Sequence, residues 1–279
     1  MKKKIMFFLI IFVLACIVYL YYQNTALQVS RYVVSDSSIP KEFNGYKIVQ
    51  ISDFHNTKSQ KLTDDLVDEI KKQKPDIIVI TGDLIDSRRT DVDAAADFIE
   101  RIIDTAPVYY AAGNHEARTE EYAVLKEKLS ELNVNILDNK SEQITIGDSS
   151  INLMGINDPS SKYGEGDGDD KIVTDAINGI EYNEKQYTIL LSHRPELLDI
   201  YADEHINLVF AGHAHGGQIR IPFIGGVVAP NQGLFPEYTN GKFCQDDTVM
   251  IVSRGIGNSL FPFRVNNRPE LVVTRLQSL

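Results

Sequence analysis

Asp76-Ile77-Ile78-Val79-Ile80-Thr81-Gly82-Asp83-Leu84-Ile85-Asp86 is the stretch that decides the fold. Its first half is short, apolar and rich in β-branched residues, the composition of a strand covered on both faces. Its second half turns polar where that strand should end. Upstream, residues 46–51 read as another core strand ending at Ser52-Asp53-Phe54-His55, and residues 59–73 place Leu62, Leu66, Val67 and Ile70 on one helical face until Pro75 stops the helix. Downstream, residues 91–103 have helical period, and residues 107–112 form a strand ending at Gly113-Asn114-His115-Glu116. Residues 119–132 are the next helix, with Thr119 as its expected N-cap and Glu120 and Glu121 in its first turn. Strand, polar loop and helix thus repeat three times. That is the grammar of a layered α/β structure with its chemistry at the strand ends.

Further out the rhythm shortens. Residues 30–34 suit an edge strand, while 134–137, 143–146 and 152–156 are short strands joined by tight polar connections. The Gly/Asp-rich loop 157–170, containing Gly164-Glu165-Gly166-Asp167-Gly168-Asp169, lacks the spacing of a helix-flanked calcium loop and reads as a flap. Residues 172–180 suit a short helix. Residues 187–191 form a buried strand ending at Ser192-His193-Arg194-Pro195, and residues 197–201 a helical turn. The apolar run 206–210 then feeds Gly212-His213-Ala214-His215-Gly216-Gly217-Gln218. Residues 249–252 and 271–274 supply the last strands, and the aromatic and glycine segment 224–238 reads as a rim loop.

The 279 residues allow one large domain or two small ones and show no internal repeat. Formal charge is -11, and the only charged residues among the first thirty, Lys2, Lys3 and Lys4, are basic. The rest is therefore more acidic still, which argues against a nucleic acid-binding surface. Cys16 lies in the apolar N-terminal run and Cys244 is far from it, so no disulfide scaffold is expected. Residues 5–22 are uncharged, mostly apolar and end in tyrosines, which reads as an uncleaved membrane anchor rather than a signal peptide. The lysines should remain cytoplasmic, leaving the body outside. The expected organisation is an anchor at 1–24, a linker with a leading strand at 25–45, and one domain at 46–279.

Asp53, His55, Asp83, Asn114, His115, His193, His213 and His215 all fall at the ends of expected core strands. They include five of the six histidines; His205 lies outside and reads as structural. Nitrogen and carboxylate oxygen without cysteine suit a divalent Zn, Mn or Fe ion and exclude a cysteine-zinc site. One carboxylate between two ions would hold them about 3.5–4 Å apart, the spacing that clamps both oxygens of a phosphoryl transfer.

The series Asp53-x-His55, Gly82-Asp83, Gly113-Asn114-His115-Glu116, His193 and Gly212-His213-x-His215 resembles the calcineurin-like metallophosphoesterase superfamily. The resemblance implies a four-layer α/β-β/α sandwich and a phosphoester hydrolase with two divalent metal ions. Asp53, His55 and His215 would hold the first ion, Asn114, His193 and His213 the second, and Asp83 would bridge. A bridging hydroxide would attack phosphorus, and His115 would contact the phosphoryl oxygen or protonate the leaving group. Asp86 and Glu116 would orient these groups. Residues 212–222 and Ser253-Arg254-Gly255-Ile256-Gly257 resemble a bacterial membrane-associated phosphoesterase branch, some members of which cleave the pyrophosphate of UDP-diacylglucosamine. The leading expectation is hydrolysis of a phosphomonoester or phosphodiester. A pyrophosphohydrolase of a UDP-sugar lipid or phospholipid head group, and a metal-containing scaffold without turnover, are the alternatives. Arg220, Arg254 and Arg264 are candidate anion contacts on the rim, and an apolar wall at 224–238 would suit a lipid head group or aryl ester.

Overall fold

In a computed structural model describing residues 2–162, 168–258 and 261–279, two six-stranded sheets pack face to face with helices outside each. The first sheet has the order β1-β16-β2-β3-β4-β5. It is built from β1 (Gln28–Asp36), β2 (Lys47–Ile51), β3 (Ile77–Thr81), β4 (Val108–Ala111), β5 (Asn135–Ile136) and β16 (Glu270–Ser278). The second has the order β14-β15-β9-β8-β7-β6. Its strands are β6 (Lys140–Ile146), β7 (Ser149–Gly155), β8 (Thr188–Leu191), β9 (Leu208–Ala211), β14 (Gly241–Gln245) and β15 (Thr248–Val252). Two small hairpins, β10 (Arg220–Ile221) with β11 (Gly225–Gly226) and β12 (Val228–Ala229) with β13 (Gly233–Leu234), fill the segment expected to be a rim loop.

Side-chain alternation explains the layers. Ile48 and Val79 point inward and meet Leu153, Ile189, Leu191, Phe210 and Ile251 of the other sheet. The intervening Val49, Ile51, Ile78 and Ile80 point outward onto α2 (Gln60–Gln73), α3 (Val92–Glu100) and α5 (Tyr122–Glu131). On the far side Leu190, Val209 and Met250 meet α6 (Asp169–Asn178) and α7 (Leu198–Asp203). The expected four-layer α/β-β/α sandwich is therefore present. Strands buried on both faces carry no polar alternation, which is why they read as apolar runs.

Caps set the helix starts. The Ser59 hydroxyl accepts from Leu62 N at 3.4 Å, and the Asp91 carboxylate from Ala94 N at 3.0 Å. The expectation that Thr119 caps the next helix is corrected. A short helix α4 (Asn114–Ala117) precedes it, α5 starts at Tyr122, and the Thr119 hydroxyl instead accepts from Glu121 N at 3.3 Å in a tight turn. Strand β14 was not expected from the sequence. Most of the acidic part of the expected flap, residues 163–167, lies outside the described residues.

The N-terminal helix α1 (Lys2–Thr25) is long and apolar enough to cross a membrane and exposes its apolar side chains. Leu153 has no exposed surface in the inter-sheet core. Leu153→Ala should therefore cost about 2–5 kcal/mol in urea unfolding of the detergent-solubilised protein; a cost within experimental error would mean that the two sheets do not pack as described.

Candidate metal centre

Five loops at the carboxyl ends of parallel strands converge at one end of the sandwich: after β2, β3 and β4 in one sheet, and after β8 and β9 in the other. They are stitched together by the backbone, with Asp53 N donating to Gly82 O and His55 N to Asp83 O, both at 3.0 Å, and Gly212 N to His193 O at 3.2 Å. Gly212 is needed for the approach, since a Cβ there would lie 1.9 Å from Ser52 Oγ. Asp53, His55, Asp83, His213 and His215 all adopt left-handed backbone, with φ of 51, 48, 53, 64 and 47°. Non-glycine residues rarely do so, and the strain turns their side chains into the shared space.

Two groups of buried side chains bring one ligand atom each within 4.8 Å of one another: Asp53, His55, Asp83 and His215, and separately Asp83, His193 and His213. In the first, His215 Nε2 lies 3.2 Å from Asp53 Oδ1 and 3.2 Å from His55 Nε2, which is 3.6 Å from Asp83 Oδ2. In the second, His193 Nε2 lies 3.2 Å from Asp83 Oδ2 and 3.2 Å from Asn114 Oδ1. These separations approximate the edges, about 3.0–3.4 Å, of a polyhedron around an ion with bonds of about 2.1 Å. Asp83 Oδ1 accepts His115 N at 2.8 Å, so Oδ2 is the oxygen that faces both groups.

The donor atoms fit a cation by their unfilled needs as well. Asp53 has no exposed surface; its Oδ2 accepts Ser52 Oγ at 2.6 Å and His213 N at 3.2 Å, while Oδ1 has no hydrogen-bond donor among the described residues. Burial pushes the Asp53 carboxyl up to about 6 and the His55 imidazole down to about 3. Burial would also lower His193, but the facing Asp83 carboxylate, with Asp53 and Asp158, raises it to about 10. His193 Nδ1 pairs with Thr81 O at 2.8 Å and so donates its proton there, which fixes the ring with Nε2 facing the cluster.

His115, Asp86 and Glu116 surround these groups. Ser87 N donates to His115 Nδ1 at 3.0 Å, which leaves the imidazole proton on Nε2, 3.9 Å from Asp83 Oδ2. Asp86 Oδ1 lies 3.4 Å from His115 Nδ1. Burial opposes ionisation of Asp86, yet the Arg88 side chain and N–H hold its carboxyl below the usual range. Glu116 accepts from Asp83 N at 2.8 Å, Gly113 N at 2.8 Å and Ile85 N at 3.0 Å, tying the β3 and β4 loops into one unit. Burial, reinforced by Asp83, pushes Glu116 up to about 7.

A cavity of about 370 Å³ opens over the cluster, lined by Asp83, Asn114, His115, His213 and His215 together with Ser87, Arg88, Arg118, Pro230 and Asn231. The arginines expected to face it are placed elsewhere. Arg220 donates to Gly216 O at 2.8 Å and Thr239 Oγ1 at 3.1 Å, bracing the histidine loop from behind. Arg254 lies against Glu270, with Nε 3.7 Å from Oε1. Arg264 is buried and donates to the carbonyls of Arg254 and Gly257. Arg88 and Arg118 take the place expected for them; sequence spacing carried no sign of this, because each follows a cluster loop by a few residues and looks like an ordinary helix-start arginine. Asn231 was missed as well, and its Oδ1 lies 3.4 Å from His213 Nε2. His205 is exposed, on the turn before β9.

The calcineurin-like phosphoesterase model matches residues 46–217. The uncharacterized metallophosphoesterase YkuE of Bacillus subtilis is 29% identical over 263 residues, 92% of this chain and 88% of its own length. The phosphodiesterase YaeI of Escherichia coli is 26% identical over 245 residues, 83% of this chain and 82% of its own. A Bos taurus transmembrane protein with metallophosphoesterase domain is 28% identical over 250 residues, 86% of this chain and 55% of its own. Among solved structures, the sulfate thiohydrolase SoxB of Thermus thermophilus shares the fold, with a TM-score of 0.51 at 13% identity over 86% of this chain and 58% of its own. The matched span holds every loop that feeds the buried Asp/His cluster, and the chain belongs to the calcineurin-like phosphoesterase family, as a metal-dependent phosphoester hydrolase.

Proposed function

We propose that the chain hydrolyses small phosphomonoesters or phosphodiesters at a centre of two divalent ions, of Mn, Zn or Fe. In this reading Asp53, His55 and His215 hold one ion, Asn114, His193 and His213 the other, and Asp83 serves both. The observation that carries it is that Asp83 is the residue common to both groups among the described residues, with Oδ2 3.6 Å from His55 Nε2 and 3.2 Å from His193 Nε2. When bound, such ions supply positive charge to the phosphoryl oxygens and make water acidic enough to act near neutral pH.

The protein's own groups do the rest. His115, with its proton on Nε2 at the cavity wall, is placed to donate to the phosphoryl oxygen or the leaving group. Arg88 and Arg118 supply cationic guanidinium groups for a substrate anion, and Ser87 and Asn231 add polar contacts. A cavity of about 370 Å³ suits a small ester or a lipid head group and not a bulky polymer. Lys2, Lys3 and Lys4 ahead of α1 favour a single-pass protein whose catalytic body lies outside the cytoplasm.

Asp83→Asn should abolish metal-dependent hydrolysis of a chromogenic diester; unchanged turnover would contradict the shared carboxylate. His115→Gln should lower kcat by roughly 10²–10⁴ with metal content unchanged, as expected for loss of a proton donor; a variant that instead loses metal would make His115 a ligand. Arg88→Ala and Arg118→Ala should each raise KM about tenfold or more with a smaller effect on kcat, since a charge-assisted contact is worth roughly 1.5–3 kcal/mol.

A further inference from the structure

The wet end of α1 is bonded to the body by its polar side chains. Tyr19 Oη donates to Asn266 Oδ1 at 2.6 Å, Gln23 Oε1 accepts Asn267 N at 3.1 Å, and Asn24 Oδ1 accepts Arg264 N and Asn258 Nδ2, both at 3.0 Å. Asn266 in turn donates to Arg220 O at 3.1 Å, and Asn267 Nδ2 to His215 O at 2.7 Å and Gln218 O at 3.1 Å. The histidine loop and the base of the β10–β11 hairpin are therefore held one residue away from the helix.

Exposed apolar side chains crowd this end. At the hairpin tip Phe223 is fully exposed in left-handed backbone with φ 69°, beside the exposed Ile221 and Ile224. Phe261 and Phe263, on the segment that binds Asn24, are exposed as well. An aromatic ring held out in a disfavoured backbone conformation is costly in water and gains by entering an apolar phase. Charge agrees. The chain has 39 acidic residues among 279, yet residues 205–236 and 248–269 contain none and carry Arg220, Arg254, Arg264 and Arg268. Acidic groups, which resist transfer into the head-group region, are missing from the stretch that carries the hairpin and from the stretch that bonds α1, while Asp65, Asp68 and Glu69 of α2 lie near Tyr22 on another side of the helix end.

We propose that the β10–β11 hairpin tip, with Phe261 and Phe263, dips into the same leaflet that α1 leaves, so that the body is seated on the lipid surface at two places and the histidine loop lies close to the interface. The hairpin would insert by its apolar side chains, as interfacial elements do, and not by attraction to anionic lipid. The inference rests on α1 crossing the membrane and is independent of which phosphoester is hydrolysed.

The chain contains no tryptophan, so a single introduced indole reports without background. The test uses full-length F223W, F8W and V124W proteins in phosphatidylcholine vesicles, with and without lipid brominated high on the acyl chains. F8W reports insertion of α1, and V124W an exposed position on α5 outside the first sheet. The expected result is blue-shifted, bromine-quenched emission from F8W and F223W, and unquenched, water-like emission from V124W. Quenching of F8W with F223W indistinguishable from V124W overturns the hairpin contact while leaving the anchor. Absence of quenching in F8W removes the anchor and the proposal with it. Equal quenching of V124W and F223W also overturns it, because the body would then lie on lipid without a preferred face.

Discussion

Asp53 and Asp83 are buried together among five imidazoles, and the rest of the architecture serves to hold them there. Desolvation of two neighbouring carboxylates is unfavourable unless positive charge is supplied. Within the protein, His193 is the imidazole that the surroundings push toward the charged form, while burial drives His55, His213 and His215 toward neutrality. Neutral imidazoles whose ligand atoms converge on carboxylate oxygens are prepared for cations. The cluster is thus a set of donors whose electrostatic demand is met by divalent ions of the family's chemistry.

The scaffold meets the geometric demand by division. One sheet supplies Asp53, His55, Asp83 and Asn114, and the other supplies His193, His213 and His215. Packing between Ile48, Val79, Leu191 and Phe210 fixes the distance between the two half-clusters. Glu116 fixes the β3 loop against the β4 loop, and Asn267 fixes the histidine loop from behind. Beside His193, Arg194 binds Asp158 through two hydrogen bonds of 2.5 and 2.9 Å and Ser160 through one of 2.8 Å. That fully buried ion pair holds the chain after β7 against the centre, as paired charges with satisfied hydrogen bonds can.

The sequence disclosed the layered α/β fold and the convergence of the Asp/His residues because both are local signals. A strand buried on two faces is an apolar run, and a polar cluster at its end is visible without knowing what lies opposite. What stayed hidden depends on contacts between distant parts. Arg220 looks like a rim cation until Gly216 O and Thr239 are found beside it, and Arg88 and Arg118 look like surface residues until the cavity is closed by Pro230 and Asn231. Thr119 has the chemistry of a cap, but α4 consumes the turn in which it would act. Strand β14 pairs antiparallel with β15 and is exposed along alternate residues, so its weak apolar signal did not separate it from a loop.

The proposed dinuclear centre depends on one carboxylate, Asp83, serving two ions. Electron paramagnetic resonance of the full-length protein loaded with Mn(II) reads this directly, because ions sharing a carboxylate lie close enough for their spins to couple. Two Mn(II) per chain with an exchange-coupled spectrum is the predicted result. A stoichiometry of one, or two ions giving only the spectrum of isolated Mn(II), would contradict it.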